Sequence, residues 1–344
     1  TRVKVAFDDT NLYLAAIMEN KGPRNYVSTS LRRDYRGEQN DGISFIFDTF
    51  NDRTNAFQFG VNPYGVQREA LLANGGSRAE DLNLAWDNKW YSKVKQYKDR
   101  WVFEAAIPFK SIRYKKGIQE WGINFSRLDL KTTEKSGWAP VPRQFPSSTL
   151  AYTGTLVWDS PPPDPGANIS LIPYSLGGFS KNGESGEKAS YKREIGLDAK
   201  VSLTSSLNLD LTVNPDFSQV EVDRQVTNLD RFELFFPERR QFFLENGDLF
   251  GSYGYSTLRP FFSRRIGLSS GRLVPILAGA RLTGNLDENW RIGVLNMQTE
   301  GIKDIGDVSD SSDDFELKSQ TILLFLFLPL QFLQNPLNVL FQNW

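Results

Sequence analysis

In the second half of the chain, apolar and polar residues alternate, and this period of two constrains the fold more than any other feature. The alternating segments are 195–204, 207–214, 276–283 and 290–294. Leu197 and Leu209, for example, lie next to Asp198 and Asp210, which gives each predicted strand one apolar and one polar face. Tilted strands of about 9 to 11 residues cross a bilayer in β-barrels. The pattern predicts barrel strands, although a water-soluble antiparallel sheet with one buried face has the same period.

Between two of these segments lies an insert of about sixty residues, which is too long for a turn and too apolar for a disordered loop. We predict a short helix from Pro237 to Glu245, ended by Asn246-Gly247, and an earlier helical piece capped by Asp223 or Asn228. The insert is rich in phenylalanine, at Phe232, Phe235, Phe236, Phe242, Phe243 and Phe250. We expect these rings to pack inside the lumen as a plug or against the barrel mouth.

The chain contains no cysteine and no histidine. This excludes a Cys nucleophile, a Ser-His couple and a zinc site with the usual ligands. A metal would need oxygen ligands, which favours calcium or magnesium. The net charge of -1 offers no basic stripe, so nucleic acid is not an expected partner.

The first half of the chain predicts a β-sandwich, because short strands alternate with turn-forming clusters and no long helix is evident. The predicted strands lie at 3–7, 12–16, 43–47, 57–61, 101–107, 121–130 and 152–157. Proline residues from 161 to 165 then form a stiff connector. The predicted division is a sandwich at 1–158, a linker at 159–167, a partial barrel at 168–320 with the insert at 214–267, and an apolar tail at 321–344.

The two ends of the chain are unusual. Thr1 opens within strand-like sequence, so we expect any secretory leader to lie upstream. The tail after Lys318 has no charged residue, its apolar run at 322–328 is far shorter than the roughly 20 residues of a spanning helix, and Pro329 interrupts it. Both faces of a strand there would be apolar, so we expect the tail not to join the barrel and suspect a frameshift near Gln320.

Three stretches carry a resemblance to a known family. They are NPDFSQVE (214–221), NLDRFELFFPERRQFFLENGDLF (228–250) and FFSRRIG (261–267). They resemble outer-membrane proteins that carry the domain of unknown function 5916 after a module similar to family 9 carbohydrate-binding modules. The first half is similar to such a module in VAFDDTNLYLAA, AWDNKW and WVFEAAIPFKSIRY, although Glu69 stands where an aspartate is expected. The chain holds strands for only part of a barrel, which makes it resemble a fragment of a longer protein.

The resemblance implies glycan capture or handling, without catalysis, at the outer membrane of a Gram-negative cell. The sandwich would be periplasmic or surface-exposed, and the barrel would contact membrane lipid. Family 9 modules grip sugar between two aromatic side chains, which here implies two of Trp86, Trp90 and Trp101. Asp87 belongs to the same candidate site, and further polar contacts would come from Asn62, Arg68, Arg33 and Asp41. An alternative interpretation is that Trp86 and Trp101 fill the sandwich core while Trp90 covers an edge.

The resemblance also implies a calcium site. Its candidate ligands are Asp8, Asp9, Asp48 and Asp52, although turn formation is the commoner reason for such aspartates. Two further functions remain open. The sandwich of an outer-membrane assembly protein would bind protein instead of sugar. A glycoside hydrolase of carbohydrate catabolism would need a positioned pair of carboxylates, for which Glu104, Asp41, Asp87 and Glu69 are nominal candidates.

Overall fold

The computed structural model divides the chain into two compact units, Thr1–Gly166 and Ala167–Trp344. The structure describes residues 1–20, 25–164, 169–180, 190–204, 206–215, 238, 240–251, 261–269, 272–287, 290–301 and 320–327. Within these ranges, regular structure is almost entirely strand, which confirms the all-β prediction. No helix in them is both long and apolar enough to span a membrane.

The first unit consists of two antiparallel sheets. Its strands are β1 (Arg2–Phe7), β2 (Asn11–Glu19), β3 (Gly42–Asp48), β4 (Ala56–Val61), β5 (Gln67–Leu72), β6 (Leu82–Asn83), β7 (Tyr91–Gln96), β8 (Arg100–Pro108), β9 (Glu120–Asp129), β10 (Glu134–Gly137) and β11 (Gly154–Val157). A four-stranded sheet has the order β1-β2-β8-β7. The second sheet has the order β10-β9-β3-β4-β5-β6, with β11 also paired to β9. Strands β5, β6, β7 and β10 are additions to the predicted set.

Aromatic rings fill the space between these two sheets. Phe45 of β3 stacks on Phe103 of β8 with ring centroids 5.5 Å apart, and both side chains are buried. Trp121 of β9 meets Phe47 of β3 edge-on at 6.3 Å. The alternation that the sequence displays, with buried Leu12 and Leu14 flanking exposed Tyr13, puts one face of each sheet into this core. The unit is therefore a sandwich of two packed sheets.

The second unit is a six-stranded antiparallel sheet with a folded insert. Its elements are β12 (Ile169–Ser180), β13 (Ser190–Ser202), β14 (Leu207–Val213), α1 (Gln241–Leu244), α2 (Asp248–Gly251), β15 (Leu268–Ser269), β16 (Arg272–Leu273), β17 (Ile276–Asn285), β18 (Arg291–Thr299) and β19 (Gln320–Phe327). The sheet order is β12-β13-β14-β17-β18-β19. Strand β14 pairs with β17 across the insert, and β15 and β16 form a separate short pair.

The two faces of this sheet have inverted polarity compared with a water-soluble sheet. Asp210 of β14 and Arg281 of β17 are cross-strand partners, and both are buried, at 1% and 0% exposure. Their apolar neighbours on the opposite face are more exposed, with Val213 at 55% and Ile195 of β13 at 80%. The polar side of the alternation thus lies inside, and the apolar side faces outward.

The insert covers the polar face. Phe242, Phe243, Leu249 and Phe250 form one buried cluster with Ile276, Leu295 and Met297. Polar links surround this cluster, because Lys200 pairs with Glu245 at 3.1 Å and Arg291 pairs with Asp248 at 2.9 Å. These contacts agree with the predicted packing role of the three phenylalanines that the structure describes. Phe232, Phe235, Phe236, Asp223 and Asn228 lie outside the described residues.

Two predictions for this unit need correction. The insert helix α1 begins at Gln241, because Arg240 before it is extended and donates to Glu238, and the predicted first residue, Pro237, lies outside the described residues. The helix ends at Leu244, one residue before the predicted end, because Glu245 is extended; Asn246, part of the predicted stop, has a positive φ of 50°. The tail was expected to stay out of the sheet, and that was wrong: Gln320–Phe327 pairs antiparallel with β18.

Candidate functional site

The three candidate tryptophans lie in the sandwich interior. Trp86, Trp90 and Trp101 are 3%, 4% and 1% exposed. Trp86 packs on Phe57 and Trp90 on Phe59, with ring centroids 5.2 Å and 5.3 Å apart. The core interpretation expects this burial for Trp86 and Trp101, whereas it placed Trp90 at an edge, and Trp90 is buried as well. Their role in sugar stacking stays a prediction that requires the loop from Trp86 to Trp90 to open.

Polar side chains gather at the outer end of Trp90, in what we call the Glu69 cluster: Arg33, Asp34, Glu69, Asp87, Asn88 and Trp90. The indole N–H of Trp90 donates to Glu69 Oε2 at 3.1 Å. Arg33 donates through Nε to Glu69 Oε1 at 2.7 Å, and its Nη2 donates to the same oxygen. Glu69 comes from β5, whereas Arg33 and Trp90 come from loops, so the cluster joins three separate parts of the chain.

Burial controls the electrostatics of this cluster. The Glu69 side chain is 0% exposed, and this burial raises the pKa of Glu69 to about 7, against the lowering effect of hydrogen bonds from Arg33 and Trp90. Burial also raises the pKa of Asp34. The hydrogen bond that the backbone N–H of Glu69 donates to Asp34 acts in the opposite direction and lowers it. Glu69 is thus an internal support that is shielded from solvent, whereas Asp34 is only half-buried.

Arg33 and Asp87 form the accessible edge of the cluster. Their side chains are 41% and 69% exposed, and Arg33 Nη2 lies 3.3 Å from Asp87 Oδ1. The same guanidinium donates to the backbone carbonyl of Asn88 at 2.7 Å, which fixes its direction. An oriented guanidinium beside an exposed carboxylate offers donors and acceptors to vicinal hydroxyl groups. Arg33 thus forms ion pairs with both Glu69 and Asp87.

The other predicted polar contacts are internal to the sandwich. Asp41 is 3% exposed and accepts from the backbone N–H groups of Val27 and Leu130, at 2.7 Å and 2.6 Å. Asn62 is 0% exposed and organises the turn after β4 by accepting from Tyr64 and Val66.

Arg68 is also buried, at 7% exposure. It donates to Gln58 and to the carbonyl of Tyr35, and burial lowers its pKa. The structure therefore does not bring Asp41, Asn62 or Arg68 to the accessible edge of the Glu69 cluster.

The proposed calcium ligands belong to two turns. Asp8 caps the β1–β2 turn by accepting from the N–H groups of Thr10 and Asn11, and these bonds, first that of Thr10, lower its pKa. Asp48 ends β3 and accepts from Arg53 N at 2.8 Å, and burial raises its pKa to about 7. Among the residues that the structure describes, no three acidic side chains are grouped to hold a metal ion. The calcium site, with Asp9 and Asp52, stays a prediction.

The hydrolase candidates lie in different surroundings. Glu69 and Asp41 are buried, whereas Glu104 projects from the outer face of the four-stranded sheet and Asp87 from the Glu69 cluster. Sequence reasoning missed Asp34 and Asn88 as members of the cluster. The sequence signal for Asp34 was its position directly after Arg33. In the structure, Asp34 has a positive φ of 59°, and its backbone N–H donates to the carbonyl of Gln67 in β5.

A comparison with protein families identifies one segment of the chain, which lies almost entirely in the second unit. Residues 165–276 match the domain of unknown function DUF5916. No curated protein matches the chain.

Among solved structures, the chain is similar to a family 9 carbohydrate-binding module from Caldicellulosiruptor kristjanssonii in complex with glucose, at 18% identity and a TM-score of 0.30. The similarity covers 46% of this chain and 75% of that chain. A complex of such a module with cellotriose gives 17% identity, a TM-score of 0.30, and coverage of 46% and 74%. A Bacteroides uniformis protein to which carbohydrate binding has been attributed gives 15% identity, a TM-score of 0.35, and coverage of 46% and 77%.

Proposed function

We propose that this chain is part of a non-catalytic outer-membrane protein that captures glycans at the envelope of a Gram-negative cell. In this proposal the six-stranded sheet is a segment of a transmembrane β-barrel. The sandwich is the glycan-binding domain, and it lies either in the periplasm or at the cell surface.

The observation that carries the proposal is the inverted polarity of the six-stranded sheet. A water-soluble sheet buries its apolar face, but here the ion pair of Asp210 and Arg281 is buried and Ile195 and Val213 face outward. Exposed apolar surface of this extent requires a partner, and barrel strands in lipid carry apolar residues outside and polar residues inside. A lipid environment resolves the inversion without a second protein.

The Glu69 cluster supports the carbohydrate part of the proposal. Its exposed edge pairs an Arg33 guanidinium, held by buried Glu69, with the Asp87 carboxylate. Such a fixed set of donors and acceptors suits sugar hydroxyls, because each hydroxyl both donates and accepts. No covalent step is needed for this role.

Membrane insertion is tested by expressing the chain with an export signal and separating the envelope fractions. We expect the chain in the outer-membrane fraction, resistant to extraction by carbonate and released by detergent. Recovery in the periplasm, freely soluble without detergent, would contradict the barrel.

Glycan binding is tested on an array with the detergent-solubilised chain and two variants. Asp87→Ala removes the exposed carboxylate while leaving the core intact, so we expect lost glycan binding with unchanged unfolding. Glu80→Ala is the matched control, since Glu80 is equally exposed, at 72%, and pairs with exposed Arg78. Tryptophan variants are less informative, because Trp→Ala in a core costs about 3–5 kcal/mol of stability.

A second function, assembly of the outer membrane through protein binding by the sandwich, is favoured by one observation. The rings that the resemblance implies for sugar stacking are buried. Binding to no glycan on the array, with normal membrane insertion, would put this role first. New reducing ends during incubation with polysaccharide would instead point to the hydrolase.

A further inference from the structure

The outer face of the four-stranded sheet is a second surface of distinctive chemistry, which we call the basic face. The cross-strand pairs arrange its side chains in four rows: Ala6, Tyr13, Ala106 and Tyr91; Lys4, Ala15, Glu104 and Lys93; Arg2, Ile17, Val102 and Lys95; and Glu19, Arg100 and the neighbouring Tyr97. These residues are exposed or half-exposed, and they alternate with buried residues in β2 and β8 and with half-buried residues in β1 and β7.

Positive charge dominates this face. Its rows hold five cations and two carboxylates, although the whole chain carries a net charge of -1. Arg2 pairs with Glu19 at 3.0 Å, and Arg100 pairs with Asp99 at the adjoining turn. In the described ranges no ion pair is formed by Lys4, Lys93 or Lys95. The amino groups of Lys4 and Lys93 are therefore available to a ligand, and that of Lys95 lies 5.3 Å from the centre of the Tyr97 ring.

Two tyrosine side chains lie on either side of a small residue on the same face. Tyr13 and Tyr91 lie two strands apart, on either side of the small side chain of Ala106. Neighbouring strands are about 4.8 Å apart, so the two rings are separated by about 10 Å. Tyr91 is 55% exposed, and the Lys89 amino group lies 5.9 Å from the centre of its ring.

A recess of about 550 Å³ opens at the opposite end of the face. Arg2, Ile17, Glu19, Asn20, Asp99 and Arg100 line it. Beside it, the guanidinium of Arg100 stacks over the Tyr97 ring at 4.9 Å. The recess thus combines guanidinium donors with carboxylate acceptors, next to an aromatic ring.

We infer that the basic face binds an acidic polysaccharide, a chain of sugar acids whose carboxylates meet the lysines. Tyr13 and Tyr91 contact the apolar faces of sugar rings, and Glu19 and Glu104 accept from sugar hydroxyls. This inference deepens the proposed glycan capture by naming a ligand class and a surface distinct from the Glu69 cluster. Anionic membranes and nucleic acids are the competing ligands, and the test includes both.

Protection of sheet edges explains only part of this pattern. Lysines on edge strands discourage pairing with another sheet, and β1 and β7 are the edge strands of this one. Edge protection requires no exposed aromatic ring on a central strand, yet Tyr13 lies on β2. It also gives no reason for Tyr13 and Tyr91 to share a row.

The test compares two polymers with the same backbone, polygalacturonate and its fully methyl-esterified neutral form. Binding of the detergent-solubilised full chain is measured for the native protein, for Lys93→Glu/Lys95→Glu, and for the matched control Lys110→Glu/Lys135→Glu. Reversing two positive charges replaces attraction by repulsion, so we expect the affinity for polygalacturonate to fall roughly tenfold or more. We expect little change for the neutral polymer and none with the control.

Further outcomes separate the possible failures. Tyr91→Ala should weaken binding of both polymers severalfold, and added salt should weaken only that of polygalacturonate. Equal losses in the two lysine pairs would overturn the inference. So would equal affinity for single-stranded DNA, or binding to phosphatidylglycerol vesicles that Lys93→Glu/Lys95→Glu weakens as strongly as it weakens polygalacturonate binding. Lys93→Gln/Lys95→Gln removes the two charges without reversing them. We expect it to lose less polygalacturonate affinity than the Glu variant and to leave binding of the neutral polymer unchanged, which separates the loss of charge from misfolding. Neutral-glycan binding that Asp87→Ala abolishes, without polygalacturonate binding, would sink this inference and leave the proposed function intact.

Discussion

At the scale of single residues, burial decides what each acidic side chain does. Asp48 and Glu69 are both 0% exposed, and burial raises the pKa of each to about 7. Asp87 is 69% exposed and remains available to a ligand. All three were named from the sequence. Their separation into internal supports and an accessible group depends on strand pairing, which the sequence pattern leaves open.

Asp48 should make folding stability depend on pH in a specific direction. Its pKa is raised from 3.8 to about 7, so the folded state holds the proton more tightly than the unfolded state. Its contribution is then greatest below about pH 4 and is lost as the pH rises to about 7, by up to about 1.4 kcal/mol per unit of displacement. Asp48→Asn should flatten this slope in urea unfolding followed by tryptophan fluorescence.

Asp9 provides the control for this measurement, since it is an exposed aspartate in another turn. Asp9→Asn should retain the native slope between pH 4 and pH 7. If the slopes of native protein and Asp48→Asn coincide, Asp48 does not titrate in the folded state as its burial predicts.

At the scale of elements, the pairing of β14 with β17 joins strands separated by the insert. The alternating pattern predicted both strands and the polarity of their faces, with Asp210 and Arg281 on the polar side. It did not predict β12, nor the pairing of β19, because an apolar segment such as 320–327 carries no period of two. A strand without this alternation can be identified only from its pairing with a neighbouring strand in the structure.

Arg281→Met should strongly destabilise the second unit. Arg281 donates to Asp210 Oδ2 at 2.7 Å, and both side chains are almost fully buried. Removing one partner leaves a buried charge uncompensated, at a cost of about 3–5 kcal/mol, whereas replacing both, in Asp210→Leu/Arg281→Met, should recover much of the loss. Thermal unfolding in detergent measures the difference. Arg2→Met, at an exposed pair, should change stability by less than about 1 kcal/mol.

Gly284 is needed where β17 passes the start of β14. Its φ is +139°, and a Cβ there would lie 1.9 Å from the backbone oxygen of Ser206. Gly284→Ala should therefore disrupt the pairing near Leu207, and we expect a lower unfolding temperature and loss of amide protection in β14. Gly177→Ala is the control, because a Cβ at Gly177 meets no atom within 4 Å. Equal stability of the two variants would contradict this role.

At the scale of the whole molecule, the sequence predicted the all-β class and the segments that became β1, β3, β4, β8 and β9, because each has a clear period or a turn signal. It did not reveal the Glu69 cluster, whose members come from three separate segments. Nor did it predict β7, which alternates Tyr91, Lys93 and Lys95 with residues of weak apolar character. The basic face therefore depends entirely on strand pairing.

Because the chain contains no cysteine, any cysteine introduced is unique, and this allows a direct test of the proposal that the outward apolar face contacts lipid. Ile195→Cys and Val213→Cys place a thiol on the outward apolar face, and Tyr91→Cys places one on the exposed face of the sandwich. All three variants are labelled with a water-soluble maleimide in outer membranes that are accessible from both sides. Hydrocarbon should shield the thiols at positions 195 and 213, so we expect Ile195→Cys and Val213→Cys to react far more slowly than Tyr91→Cys. Urea-unfolded samples should label all three equally. Fast labelling of Ile195→Cys and Val213→Cys in the native membrane would mean that water covers this face, and the inverted polarity would then require a protein partner instead of lipid.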